Sequence, residues 1–106
     1  DFKPKFKNEN WNELDLLMKT PKIEDINCNG PNKQVVAGYG RNSFNTNIVF
    51  KDNKEINEFI DKILRDMNVF TQEKVINLRL KNGFSLHAIL GGGIINSRFI
   101  LKREGI

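Results

Sequence analysis

The stretch Lys74-Val75-Ile76-Asn77-Leu78-Arg79-Leu80-Lys81-Asn82-Gly83-Phe84-Ser85-Leu86-His87-Ala88-Ile89-Leu90 decides the architecture. On either side of Lys81-Asn82-Gly83, apolar and polar residues alternate, the period of a strand with one buried face. Two hairpin registers compete. A two-residue turn on Asn82-Gly83 pairs Leu78 with His87 and Leu80 with Ser85, which mixes polar and apolar side chains on both faces. A three-residue turn with Gly83 as a left-handed bulge pairs Leu80 with Phe84, Leu78 with Leu86 and Ile76 with Ala88. Those six then share one face, and Asn77, Arg79, Ser85 and His87 share the other. A one-residue slip would flip every side chain, so the clean segregation selects the second register.

Working outward, a third strand over about 94–103 alternates Ile95, Ser97, Phe99 and Leu101 with Asn96, Arg98, Ile100 and Lys102. Gly91-Gly92-Gly93 frees the backbone to fold it beside the second strand, with His87 expected to face Arg98 or Asn96. Upstream, Asp52 and Glu55 stand in capping-box spacing. They precede an apolar stripe of Ile56, Phe59, Ile60, Ile63, Leu64 and Met67, which predicts an amphipathic helix over 53–67 lying on the apolar face. A shorter helix is predicted over 9–19, with Asn8 as N-cap, Trp11, Leu14, Leu17 and Met18 facing the core, and Pro21 as its stop. Between the helices, strands are expected at 23–26, 34–39 and 46–51, with residues 38–43 as a mobile loop. Residues 1–8 read as an extended arm. The fold class is therefore α+β: an N-terminal helix and one long amphipathic helix packed on a mainly antiparallel C-terminal sheet.

With 106 residues, the chain fits one domain. It opens Asp1-Phe2-Lys3-Pro4, with neither an initiator methionine nor an apolar signal segment, so residues 1–106 are expected to be a single domain excised from a longer protein. No apolar run approaches the roughly 20 residues of a membrane helix, and no membrane partner is expected. The single cysteine, Cys28, forms no internal disulfide and offers no thiolate zinc site. The formal charge of +4 is segregated. Residues 71–106 hold Lys74, Arg79, Lys81, Arg98, Lys102 and Arg103 against Glu73 and Glu104, and the first 70 residues balance to zero. Such segregation suits a phosphate-binding face, so the expected partner is nucleic acid.

The predicted polar shelf carries His87, Arg79, Arg98 and Ser85 as candidate catalytic residues. Cleavage of RNA by internal transesterification needs a group to take the 2′-hydroxyl proton, an acid for the leaving 5′-oxygen and cations for the charge on the phosphoryl oxygens. Histidine titrates near neutrality and arginine forks onto phosphate. Lys81, Lys102, Asn77 and Asn96 are candidate substrate contacts on or beside the shelf. Tyr39, Arg41 and Thr71 join them from nearby loops. No metal or cofactor is expected. There is no Gly-x-Ser-x-Gly elbow, no Walker loop and no dinucleotide fingerprint, which excludes those chemistries for these residues.

A small basic domain with N-terminal helices and an antiparallel sheet bearing the isolated His87 among Arg79, Arg98 and Lys102 resembles the barnase/EndoU/colicin/RelE-like ribonucleases. More narrowly, it resembles the C-terminal toxin domains of CdiA-type contact-dependent growth-inhibition proteins. Two features depart from that pattern: EndoU-type members use two histidines, and here two strands precede the long helix. The resemblance implies a monomeric, metal-independent tRNA-cleaving toxin, delivered by secretion into the cytoplasm of a target bacterium. It implies an immunity protein and a translation elongation factor as partners. Two other readings of the same basic sheet stand beside it: a non-catalytic RNA- or ribosome-binding module, and an immunity or adaptor domain that meets an acidic protein.

Overall fold

The computed structural model describes residues 9–104. Two helices and six strands follow in the order α1 (Glu9–Met18), β1 (Asp25–Cys28), β2 (Gln34–Tyr39), β3 (Asn42–Val49), α2 (Asn53–Asp66), β4 (Val75–Arg79), β5 (Phe84–Ile89) and β6 (Arg98–Arg103). The strands form one sheet in the order β3-β2-β1-β6-β5-β4, and every neighbouring pair is antiparallel. The fold is α+β, as the sequence pattern requires.

The decisive hairpin has the register selected by segregation: Ile76 lies opposite Ala88, Leu78 opposite Leu86 and Asn77 opposite His87. Gly83 takes a φ of 93°, and the Leu80 N–H donates to the Phe84 carbonyl at 2.7 Å. The register carries on across the sheet. Leu78, Leu86, Leu101, Ile26, Ala37 and Phe44 form one row, and Ile76, Ala88, Phe99 and Cys28 form the next. These rows face the helices, and all but Leu78 and Phe44 are buried.

The stripe of α2 lies on them, with Ile56, Phe59, Ile60, Ile63 and Leu64 buried. Phe59 meets Phe99 at 5.1 Å between ring centroids, and Phe50 closes the cluster at 6.0 Å from each. Asp52 caps the helix by accepting from the Glu55 N–H at 2.9 Å, and the Glu55 carboxylate reaches back to the Lys51 N–H at 2.7 Å. Beside it, α1 buries Leu14 completely. Trp11 is a half-buried rim residue, with the Lys62 ammonium 5.7 Å from its ring centroid. The predicted Asn8 cap and the arm at 1–8 lie outside the described residues.

Four predicted boundaries are corrected. First, β1 sits two residues later than expected and runs in the middle of the sheet, between β2 and β6. Second, the segment 38–43 is a tight hairpin, because Gly40, with φ 61°, opens a two-residue turn that pairs Tyr39 with Asn42. Third, β3 accordingly spans 42–49 rather than 46–51. Fourth, β6 begins only at Arg98, because residues 91–97 are tied into a compact loop. Gly92 and Ile95 form a bridge. Ser97 Oγ accepts from the Gly91 N–H at 2.8 Å and donates to Asn57 Oδ1 at 2.6 Å, and the Ser97 N–H donates to Asn53 Oδ1 at 2.9 Å.

Ile60→Ala empties a fully buried site and is expected to lower stability by about 2–5 kcal/mol in urea unfolding. Burial pushes the Cys28 thiol up, outweighing the Gly30 backbone hydrogen bond that pulls it down. The folded thiol thus ionises less readily than the unfolded one, so its stabilising contribution is complete below the ordinary thiol pKa and fades as pH rises above it. Native protein is expected to resist alkylation at pH 8 and to react once urea unfolds it.

Candidate binding face

Both helices occupy one side of the sheet, so among the described residues the other side is open. The register builds it row by row. One row reads Arg79, Ser85, Lys102, Asp25, Gly38 and Ser43, and the next reads Asn77, His87, Ile100, Asn27, Val36 and Asn45. His87 stands opposite Ile100, not Arg98 or Asn96 as the longer third strand implied. Arg98 pairs with Ile89 instead. The cations therefore lie on the diagonals around His87: Arg79 on β4, and Arg98 and Lys102 on β6. Diagonal neighbours are about 7–8 Å apart, within the reach of long side chains.

His87 is exposed, and its Nδ1 is in hydrogen-bond contact with Asn77 Oδ1 at 2.6 Å. This contact orients the ring and leaves Nε2 as the nitrogen not engaged by Asn77. Arg79, Arg98 and Lys102 are exposed, whereas Ser85, between Arg79 and Lys102, is 7% exposed. The salt bridges among the described residues all lie along the helices: Asp15–Lys19 at 3.3 Å, Lys54–Glu58 at 3.8 Å and Lys62–Asp66 at 2.9 Å. Among the described residues, Arg79, Arg98 and Lys102 form no salt bridge.

The remaining predicted contacts do not join this group. Lys81 lies in the β4–β5 turn, Asn96 in the loop before β6, and Thr71 in the α2–β4 linker, where its hydroxyl accepts from the Glu73 N–H at 3.1 Å. Tyr39 points to the helix side, where it meets Phe44 edge-on at 5.9 Å, and Arg41 is at the β2–β3 turn. Their strand lies three positions from β5, about 14 Å across the sheet.

Two face residues escaped the sequence reading. Asp25 and Asn27 of β1 come beside Lys102 and Ile100, with Asn27 Nδ2 donating to Asp25 Oδ1 at 3.0 Å. Gly38 leaves the room that the Asp25 carboxylate fills, since a Cβ there would come within 2.6 Å of its oxygen. The signal was the alternation of Asp25 and Asn27 with Ile26 and Cys28, in a strand too short to stand out.

Arg103 contributes to the basic count but not to the face. It lies on the helix side, with its guanidinium 4.5 Å from the Phe84 ring centroid. Nε–H donates to the Ile23 carbonyl at 2.8 Å, and Nη2 donates to the carbonyls of Thr20 at 3.0 Å and Met18 at 3.4 Å. It joins the end of α1 to the last strand.

No protein-family model matches the sequence, and no curated protein matches it. Among solved structures, the chain is similar to the VirB11 ATPase of the Brucella suis type IV secretion system, crystallised with sulphate. The TM-score is 0.70 at 12% identity, over 94% of this chain and 32% of that one. The two share a fold, and this chain spans about a third of the other's length.

Arg103→Met is expected to cost about 1.5–3 kcal/mol, because it removes charge-assisted hydrogen bonds to backbone carbonyls. Arg79→Ala and Lys102→Ala, on the open face, are expected to stay within about 0.5 kcal/mol of wild type in the same urea titration.

Proposed function

We propose that this chain is a non-catalytic docking domain of a larger protein of the secretion-ATPase type. The observation that carries the reading is the fold likeness to about a third of a VirB11 ATPase over nearly all of this chain. The step from that likeness to a role is an analogy of architecture. The chemistry of the chain agrees with it. There is no phosphate-cradling Gly-x-x-x-x-Gly-Lys-Ser/Thr signature, so nucleotide hydrolysis would belong to the rest of such a protein. The open face is a plain sheet surface, suited to contact over an area. The test compares this chain with the complete product of its coding region. The complete product is expected to hydrolyse ATP, and residues 1–106 alone are not. A complete product without ATPase activity overturns the reading.

A second reading is favoured by one observation, the His87 ring held by Asn77 at 2.6 Å with Arg79, Arg98 and Lys102 on the diagonals around it. With Nδ1 taken up by Asn77, Nε2 is the ring atom left for a substrate, and the cations suit a phosphodiester, which supports RNA as partner and tRNA cleavage by transesterification as activity. The assay is total tRNA with EDTA and cell extract, wild type against His87→Ala. This reading expects a 2′,3′-cyclic phosphate product and a loss of about 10²–10⁴-fold in the variant. If RNA binds without being cut, Arg79→Ala, Arg98→Ala and Lys102→Ala are each expected to reduce the salt slope by roughly 1. Lys19→Ala and Lys22→Ala serve as controls. An intact substrate with wild-type protein, or an undiminished His87→Ala rate, removes the catalytic version.

A further inference from the structure

The two edges of the sheet are not equivalent. At the β3 edge the strand is interrupted by a bulge opposite Gln34–Val36. Gln34 Nε2 donates to the Thr46 carbonyl at 3.0 Å, and Asn10 Nδ2 donates to the Val49 carbonyl at 3.0 Å. That edge is kinked and partly capped. At the opposite edge, β4 is regular over its whole length and, among the described residues, pairs only with β5.

The hydrogen bonds at the two ends of this hairpin fix which backbone groups β4 leaves free. The Leu80 N–H donates to Phe84, and the Lys74 carbonyl accepts from the Leu90 N–H at 2.8 Å. Bonding residues alternate along an antiparallel strand, so Lys74, Ile76, Leu78 and Leu80 turn toward β5. The N–H and C=O of Val75, Asn77 and Arg79 then point outward, and none of them has a partner among the described residues. The linker before β4 turns back to α2, with the Val69 N–H bonded to the Leu64 carbonyl at 2.8 Å, and it makes no ladder with β4.

We infer that the β4 edge accepts an extended peptide segment as a seventh strand, and that the segment alternates acidic and apolar residues. Backbone groups at alternate positions supply the ladder, as in strand addition to other open edges. Side chains at the edge select the partner. Arg79 lies on the open face, and Lys74 and Lys81 flank the strand; all three are exposed and without acidic partners among the described residues. They attract carboxylates, and a second copy of β4 would bring three more cations to the same edge. On the helix side the edge offers half-buried Leu78, with Val69 also half-buried in the neighbouring linker. Alternate apolar residues of an added strand would cover that surface, while its acidic residues lie beside Arg79.

The probe is a blocked heptapeptide alternating valine and glutamate, titrated into the ¹⁵N-labelled chain. Binding is expected to protect the amides of Val75, Asn77 and Arg79 from hydrogen exchange, while the amides of β3 stay unchanged. A proline at the centre of the peptide is expected to abolish binding. The triple variant Lys74→Glu, Arg79→Glu, Lys81→Glu is expected to weaken the glutamate peptide about tenfold and to admit a valine–lysine peptide instead. Its amide spectrum shows whether it remains folded. Should the three amides stay unprotected, the proline peptide bind equally well, or the folded triple variant keep the glutamate preference, the inference is overturned.

Discussion

Because both helices pack on one side of the sheet, every strand must divide its side chains between a packed interior and an open surface. The division holds only while all six strands keep register. Gly83 sets it for β4 and β5 by accepting a left-handed backbone that carries the extra turn residue at little cost. Pairing with β6 and then β1 passes it to the middle of the sheet. A slip at this turn would send Leu78 and Ile76 to the surface and bring Arg79 and His87 under α2, where burying an unpaired guanidinium is costly.

The same constraint explains which parts of the fold were legible in the sequence. The β4–β5 hairpin and α2 were readable in register and face, because each carries a full period of alternation or stripe. Strand β1 was blurred: four residues give barely two cycles, and its place between β2 and β6 depends on pairings far away in the chain. The β2–β3 turn was missed because Gly38-Tyr39-Gly40 looks like loop composition. Only the register shows that Gly40 makes the turn while Gly38 accommodates Asp25. The end of β6 was overextended because Ile95 and Ser97 continue its alternation, although Ser97 is taken up by Asn53 and Asn57 of α2, some forty residues away in sequence.

For the candidate site, residue types were legible and neighbourhoods only partly so. The polar face of the hairpin held, with His87 and Asn77 in contact. Arg98 and Lys102 came in on the diagonals because His87 pairs with Ile100, which lies between them, and not with Arg98 or Asn96. Charge counting could not distinguish Arg103, which braces α1, from Arg79, which faces solvent. The distinction is one of parity along a strand, and it matters for function: a cation that holds three carbonyls is not available to a phosphate or a carboxylate. The open face is consequently less basic than the composition of the last third suggests, and its middle holds Ile100 and Asp25.

The loop between β5 and β6 combines a fixed base with a free tip. Its base is a buried serine with two asparagines, and at Gly91 any Cβ would overlap the Ile95 carbonyl and the Ser97 backbone. At its tip Ile94 is 99% exposed. Substitution should therefore be graded over a few residues, from forbidden at Gly91 and Ser97 to almost neutral at Ile94. Such a loop can change what it displays without altering how it is held, so related chains could diverge at the tip while keeping the same scaffold. It is also a natural place to graft a short foreign sequence that must stand in one orientation.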